Sequence, residues 1–164
     1  GLYAGKELGQ NFLSSPATAQ MIVDKTGVDK ETTVLEIGPG LGAITLPLAR
    51  ACKQVTAVEK DRRIIPLLEG ELAEEEIRNV TIINQDILKT DIRQIAGTEK
   101  LVVIGNLPYN ISSQILFKLI TVRQVVTRAF LMFQKELADR ILAVGVGHLL
   151  HGRGASRPRS ERAG

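Results

Sequence analysis

Short aliphatic and β-branched runs recur along the chain, separated by longer stretches with helical spacing. Thr33–Ile37 (TVLEI), Gln54–Glu59 (QVTAVE), Val80–Asn84 (VTIIN), Leu101–Gly105 (LVVIG) and Ala129–Phe133 (AFLMF) read as five strands. Between them, Ala43–Ala51, Ile64–Glu76 and Ser112–Ile120 read as helices. The last has apolar residues at Ile115, Leu116, Leu119 and Ile120, and Ile64–Glu76 is apolar on one side and Glu-rich on the other. A first helix is expected from about Pro16 to Lys25, with Ser15 as its N-cap. Pro47 either kinks the helix that holds it or sits in an early turn.

Alternating strands and helices predict an α/β fold, a parallel sheet with helices on both faces. The near-continuous apolar strands agree, because such strands are covered on both sides. Ligands of these sheets sit beyond the carboxyl ends of the strands. That places Gly38–Gly42, Glu59–Lys60, Asp86 and Asn106–Tyr109 on one rim.

Four motifs on this rim carry candidate chemistry. Glu36-Ile37-Gly38-Pro39-Gly40-Leu41-Gly42 stands at a strand-to-helix turn, where glycines permit positive φ and close backbone approach. Its G-x-G-x-G spacing differs from the G-x-G-x-x-G of dinucleotide binders, which favours S-adenosylmethionine, although a plain tight turn fits the glycines alone. Glu59, about 20 residues on, suits a bidentate hydrogen bond to ribose hydroxyls. Asp86 can accept a hydrogen bond from an adenine amine, or serve equally as a cap or turn residue. In Gly105-Asn106-Leu107-Pro108-Tyr109-Asn110-Ile111-Ser112, the Asn106 side-chain oxygen and the Leu107 carbonyl can hold the N–H groups of an exocyclic adenine amine. Pro108 has no N–H to compete for that carbonyl, and Tyr109 can stack on the base.

Composition changes this picture little. The 164 residues suffice for one domain with a core that must be aliphatic, since aromatic residues are 4% and Trp is absent. The single Cys52 cannot form an internal disulfide and reads as a core or boundary residue in a reducing compartment. No apolar run is long enough to span a membrane. The net charge of +3 resides in the segment after Ala143, with Arg153, Arg157, Arg159 and Arg162 against Glu161, so the body before it is neutral. His148 and His151 in that segment have no cysteine or acid partner nearby that would make a metal site, and no metal is expected.

These motifs, in this order, resemble the ribosomal RNA adenine N6-dimethyltransferase family (the KsgA/RsmA type, acting on small-subunit rRNA), with the Erm resistance methylases as cousins. The resemblance rests on Leu8-Gly9-Gln10-Asn11-Phe12-Leu13, Glu36–Gly42, Val58-Glu59-Lys60-Asp61, Gln85-Asp86, Gly105–Ser113 and Met132-Phe133-Gln134-Lys135-Glu136. It implies a Rossmann-like methyltransferase domain that uses S-adenosyl-L-methionine to dimethylate adenines of small-subunit ribosomal RNA in the immature small ribosomal subunit. Cofactor contacts are implied at Asn11, Leu13, Gly38, Glu59, Asp86 and Asn106, with Gly40 in the same turn, and target-adenine contacts at Asn106, Leu107, Pro108 and Tyr109. A cytoplasmic monomer without membrane attachment is expected.

The resemblance covers about residues 8 to 143, giving a partial catalytic domain over 1–143 and an unalignable, disordered tail over 144–164. The family's later strands, aromatic loop and helical C-terminal domain have no counterpart, as in a truncated or frameshifted product. The Ala129–Phe133 strand is then expected to carry an uncovered edge, leaving the chain poorly stable and essentially inactive on rRNA. A noncatalytic ribosome-assembly factor that binds RNA and senses the cofactor is the alternative function, and an inert product a third.

Overall fold

The structure is a computed structural model and describes residues 15–133 and 141–144. In chain order its elements are α1 (Pro16–Thr26), β1 (Thr33–Ile37), α2 (Thr45–Ala51), β2 (Gln54–Glu59), α3 (Ile65–Glu74), β3 (Val80–Asn84), α4 (Ile92–Ala96), β4 (Leu101–Leu107), α5 (Ser112–Thr121), β5 (Val126–Phe133) and β6 (Ile141–Val144). Two 3₁₀ turns, Ile87–Lys89 and Tyr109–Ile111, precede α4 and α5. The sheet order is β3-β2-β1-β4-β5-β6. The first five strands are parallel and β6 is antiparallel to β5.

Local chemistry sets the helix ends. The Ser15 hydroxyl accepts the Thr18 N–H at 3.4 Å, and Gly27 at φ 66° closes α1 in the left-handed region. Pro47 is the third residue of α2, within the first turn, where its missing N–H would have had no helical partner. The Asp86 and Asp91 carboxylates cap the 3₁₀ turn and α4 through Leu88 N–H at 3.0 Å and Gln94 N–H at 3.1 Å.

The strands alternate between two cores. Leu35, Ile37, Leu101, Val103, Leu107, Val126, Ala129 and Leu131 pack with Ile92 and Ala96 of α4 and Ile115 and Leu119 of α5. Val34, Val102, Ile104, Phe130 and Met132 pack on the other face with Ile22 and Val23 of α1 and Leu48 and Ala49 of α2. This period-two split explains why β4, buried along nearly its whole length, reads as a continuous apolar run. The crossover from β3 to β4 places β4 beside β1, so the chain order reverses between these two strands. Their carboxyl ends form the switch point where such sheets place ligands.

Two expectations are corrected. β4 runs two residues past Gly105, with Asn106 paired to Met132 and Leu107 to Phe133, so both candidate residues end a strand instead of opening a loop. The edge of β5 is not bare, since Ile141–Val144 pairs with Ala129–Met132. Four apolar residues in a row carry no periodicity that separates a strand from a helix end. The rest of the expected tail, 145–164, lies outside the described residues, as do Asn11 and Leu13. Among the described residues no helix is long and apolar enough to cross a membrane.

α5 is anchored by Ile115 and Leu119, 1% and 2% exposed, whereas Phe117 between them is 72% exposed. Leu119→Ala should therefore destabilise the chain by about 2–5 kcal/mol, and Phe117→Ala by less than about 0.5 kcal/mol. Urea unfolding followed by far-ultraviolet dichroism would measure both; comparable losses would contradict this packing of α5.

Candidate active site

The turn after β1 is built on three glycines with positive φ, Gly38 at 68°, Gly40 at 56° and Gly42 at 91°. Steric crowding adds to the conformational demand at two of them. A Cβ on Gly38 would lie 3.2 Å from the Asn106 carbonyl oxygen, and one on Gly42 would lie 2.8 Å from Cδ1 of the buried Leu68. At Gly40 a Cβ would meet no protein atom within 4 Å. Gly40 therefore owes its identity to conformation and to the open space before it. The Gly38 N–H donates to the Val58 carbonyl at 2.9 Å, which ties the turn to the end of β2.

Glu59 closes β2 and is 8% exposed. Its Oε1 accepts the Gly40 N–H at 3.2 Å and its Oε2 accepts the Asp61 N–H at 2.9 Å. Both oxygens keep further lone pairs, so the carboxylate is oriented yet still able to accept. The Asn84 amide steadies the strand end behind it, donating to the Glu59 carbonyl at 2.9 Å. Asp86 uses Oδ1 for the cap on Leu88, and its Oδ2 stands 3.7 Å from Lys60 Nζ.

At the end of β4 the Asn106 side chain is half-buried, on the face that carries Ile104 and Met132. Leu107 is 1% exposed in the opposite core, and Pro108 is exposed. Tyr109 enters a 3₁₀ turn, and its side chain lies outside the described residues.

A cleft of about 740 Å³ opens over these strand ends. Gly38, Gly40, Glu59, Asp86, Asn106, Leu107 and Pro108 all line it. Seven of the ten candidate residues, drawn from four separate strand ends, thus share one wall. Apolar Leu41, Ile64, Ile87, Leu88 and Ile111 also line it, with Gln85 and the charged Lys60 and Glu71. Leu41, Gln85 and Ile111 lay within quoted motifs without an assigned role, whereas Ile64, Ile87, Leu88 and Glu71 had no motif to mark them.

Sequence reasoning also passed over Glu36. It is 3% exposed, and its Oε2 accepts the Thr45 hydroxyl at 2.7 Å. With Gly38, Asn106 and Met132 it lines a small cavity of about 10 Å³, room for roughly one water. Burial pushes its carboxyl up from 4.5 to about 7; the Thr45 hydrogen bond opposes the rise and the nearby charge of Glu59 adds to it. Cys52, buried at the end of α2, is a core residue as expected, and burial raises its thiol to about 11.

A sequence profile of the family described as ribosomal RNA adenine dimethylase matches residues 2–150. The chain belongs to the ribosomal RNA adenine dimethylase family. A family relative from Desulforapulum autotrophicum, ribosomal RNA small subunit methyltransferase A, is 56% identical over 142 residues, covering 87% of this chain and 50% of the relative. Among solved structures, a dimethyladenosine transferase from Plasmodium falciparum superposes with a TM-score of 0.65 at 33% identity, over 77% of this chain and 44% of that one. The 23S rRNA methyltransferase ErmE superposes with a TM-score of 0.62 at 27% identity, over 71% and 45%. The chain spans about half the length of the curated relatives it matches. The family match runs past residue 143 to residue 150, and so includes β6.

The buried Glu36 makes stability depend on pH in a defined direction. Its folded pKa lies above the unfolded value, so its contribution is fully present below about pH 4.5 and is lost as pH rises to about 7. Denaturant titrations across this range should show wild type losing up to about 3 kcal/mol relative to Glu36→Gln. A difference that does not change with pH would refute the buried, raised carboxyl.

Proposed function

We propose that the cleft binds S-adenosyl-L-methionine and presents it to the N6 amine of an adenine in small-subunit ribosomal RNA. The observation that carries this reading is the convergence of Gly38, Gly40, Glu59 and Asp86 with Asn106, Leu107 and Pro108 on one cleft wall. Membership of the family and the 56% identical small-subunit methyltransferase support the RNA and the adenine.

The residues present fit the cofactor. The turn at Gly40 leaves open space where a side chain would stand. Glu59 is held by two backbone N–H groups in an orientation that can receive vicinal hydroxyls. Asp86 and the apolar Ile87 and Leu88 offer an acceptor and a flat greasy contact for an adenine ring. By the family resemblance Asn11 and Leu13 would close over it. When bound, S-adenosylmethionine supplies a methyl group already activated on a sulfonium.

The protein's own task concerns the target amine, whose lone pair is delocalised into the ring. The Asn106 side-chain oxygen and the Leu107 carbonyl accept the two N–H groups, which favours a more tetrahedral nitrogen with its lone pair exposed. Pro108 carries no N–H, so the Leu107–Pro108 peptide presents an acceptor and no donor. Tyr109 stacks on the base and fixes its plane. Asn106 pairs with Met132 of β5 and follows Gly105, which is paired to both β1 and β5, and this anchoring is what alignment of the amine requires. The proton departs to solvent after transfer, so no dedicated base is assigned.

Titration calorimetry tests the cofactor reading. Glu59→Ala should weaken S-adenosylmethionine binding by about 1.5–3 kcal/mol, the range for a hydrogen bond to a charged group. Unchanged affinity would sink the ribose assignment. In a full-length version of the protein, Asn106→Ala should retain RNA binding but lose N6-methyladenine formation on undermethylated small subunits by at least about 100-fold, the order seen when a transition-state hydrogen-bond partner is removed. Nucleoside mass spectrometry would read it, and wild-type product from that variant would remove Asn106 from the mechanism.

A further inference from the structure

α5 starts at Ser112, immediately after the turn that follows Pro108, and so leads away from the proposed target-base site. Its inner face is apolar and buried. Its outer face carries Ser113, Gln114, Phe117 and Thr121, all exposed, and Phe117 is the most exposed large hydrophobic side chain among the described residues. A protein-docking face has a contiguous apolar centre, and a lone aromatic among hydroxyl and amide groups lacks one. An aromatic ring with polar neighbours is instead the arrangement on which unpaired bases stack.

The surrounding charge agrees. Lys118 lies on α5 itself and Arg123 follows it directly, and the stretch from Leu101 through Gln134 contains no acid. Two arginines are fixed at the C-terminal end of α5. Arg93 Nη2 donates to the Thr121 carbonyl at 2.8 Å, and Arg123 Nη1 donates to the Ile120 carbonyl at 3.4 Å. Thr121 lies one turn beyond Phe117 on the same face. The nearby acids, Asp86 and Asp91, cap the 3₁₀ turn and α4 and act on Lys118.

We propose that the outer face of α5 is an RNA-docking surface, on which Phe117 stacks with an unpaired base next to the target adenine while Arg93 and Arg123 contact the adjoining phosphates. This rests on the proposed reading of the cleft and extends it to the path of the substrate strand. The strand crosses α5 toward Pro108, and an unpaired segment is selected over a duplex because only an unstacked base can meet the ring.

Fluorescence anisotropy with the full chain tests the surface, using a short labelled oligoadenylate RNA and a blunt RNA duplex as probes, with S-adenosylmethionine affinity measured in parallel. Phe117→Ala should weaken oligoadenylate binding about tenfold while Phe117→Trp restores it, as stacking requires. Duplex and cofactor affinities should not move. Arg93→Gln with Arg123→Gln should lower the slope of log affinity against log salt by about 1.4, two single-strand phosphates. Equal oligoadenylate affinity in Phe117→Ala overturns the proposal, as does loss of self-association in that variant with RNA binding intact. Wild type that binds the cofactor but neither RNA probe defeats the surface alone; wild type that binds neither cofactor nor RNA defeats the reading of the cleft and this inference with it.

Discussion

The turn after β1 passes so close to the end of β4 that a Cβ at Gly38 would lie 3.2 Å from the Asn106 carbonyl oxygen. This approach sets the geometry of everything at the switch point. It requires a residue without a side chain and a backbone at φ 68°, and both demands are met by glycine alone. It also requires β1 and β4 to be neighbours, which the crossover from β3 provides. With the two chain segments in contact, the lip of the proposed cofactor cleft and the residue proposed to hold the target amine become one rigid unit. Movement of one is then felt directly by the other.

Carboxylates stabilise this junction in different ways. Glu59 crosses from β2 to the glycine turn and holds both Gly40 and Asp61 by their N–H groups. Both of its oxygens are thereby oriented at the cleft wall, each with a lone pair left to accept. Glu36, one strand over, is sealed behind the turn with a single hydroxyl donor and so leans toward its neutral form. The protein thus keeps an oriented acceptor where a ligand can reach it and lets the enclosed Glu36 take up a proton near neutrality.

The features legible in the sequence were those with a repeating physical cause. Strands covered on both faces must be apolar nearly throughout, which made β1 and β4 visible, while β2, β3 and β5 showed through their β-branched and aliphatic runs. The glycine spacing was visible because positive φ in a tight turn excludes other residues. The end of β4 was misjudged because Asn106 and Pro108 look like loop residues. Only the length of β5 beside it, with Met132 and Phe133 as partners, carries the ladder on. β6 was hidden because four apolar residues have no period. Glu36 could not be seen, since an acid in a strand normally marks a solvent-facing position, and its burial depends on α2 arriving with Thr45. Phe117 fell between the apolar positions of its helix, where neither strand nor helix periodicity assigns a role.

Charge divides the molecule along the same line as the sheet. The end of β2 and the turn after β3 supply Glu59 and Asp86 to the cleft, whereas the segment from β4 through β5 supplies cations and no acid. The proposed cofactor carries a sulfonium and an ammonium, and the proposed substrate is a polyanion. Acids on the first half favour the former and cations on the second half favour the latter. An exchange of the two ligands would place phosphates against Glu59 and Asp86, which costs electrostatic energy in a cleft with apolar walls. The boundary between these two stretches runs between β1 and β4, the same line at which Gly38 meets Asn106. The proposed methyl donor and acceptor meet there because the acceptors of the cleft and the end of β4 converge on that line.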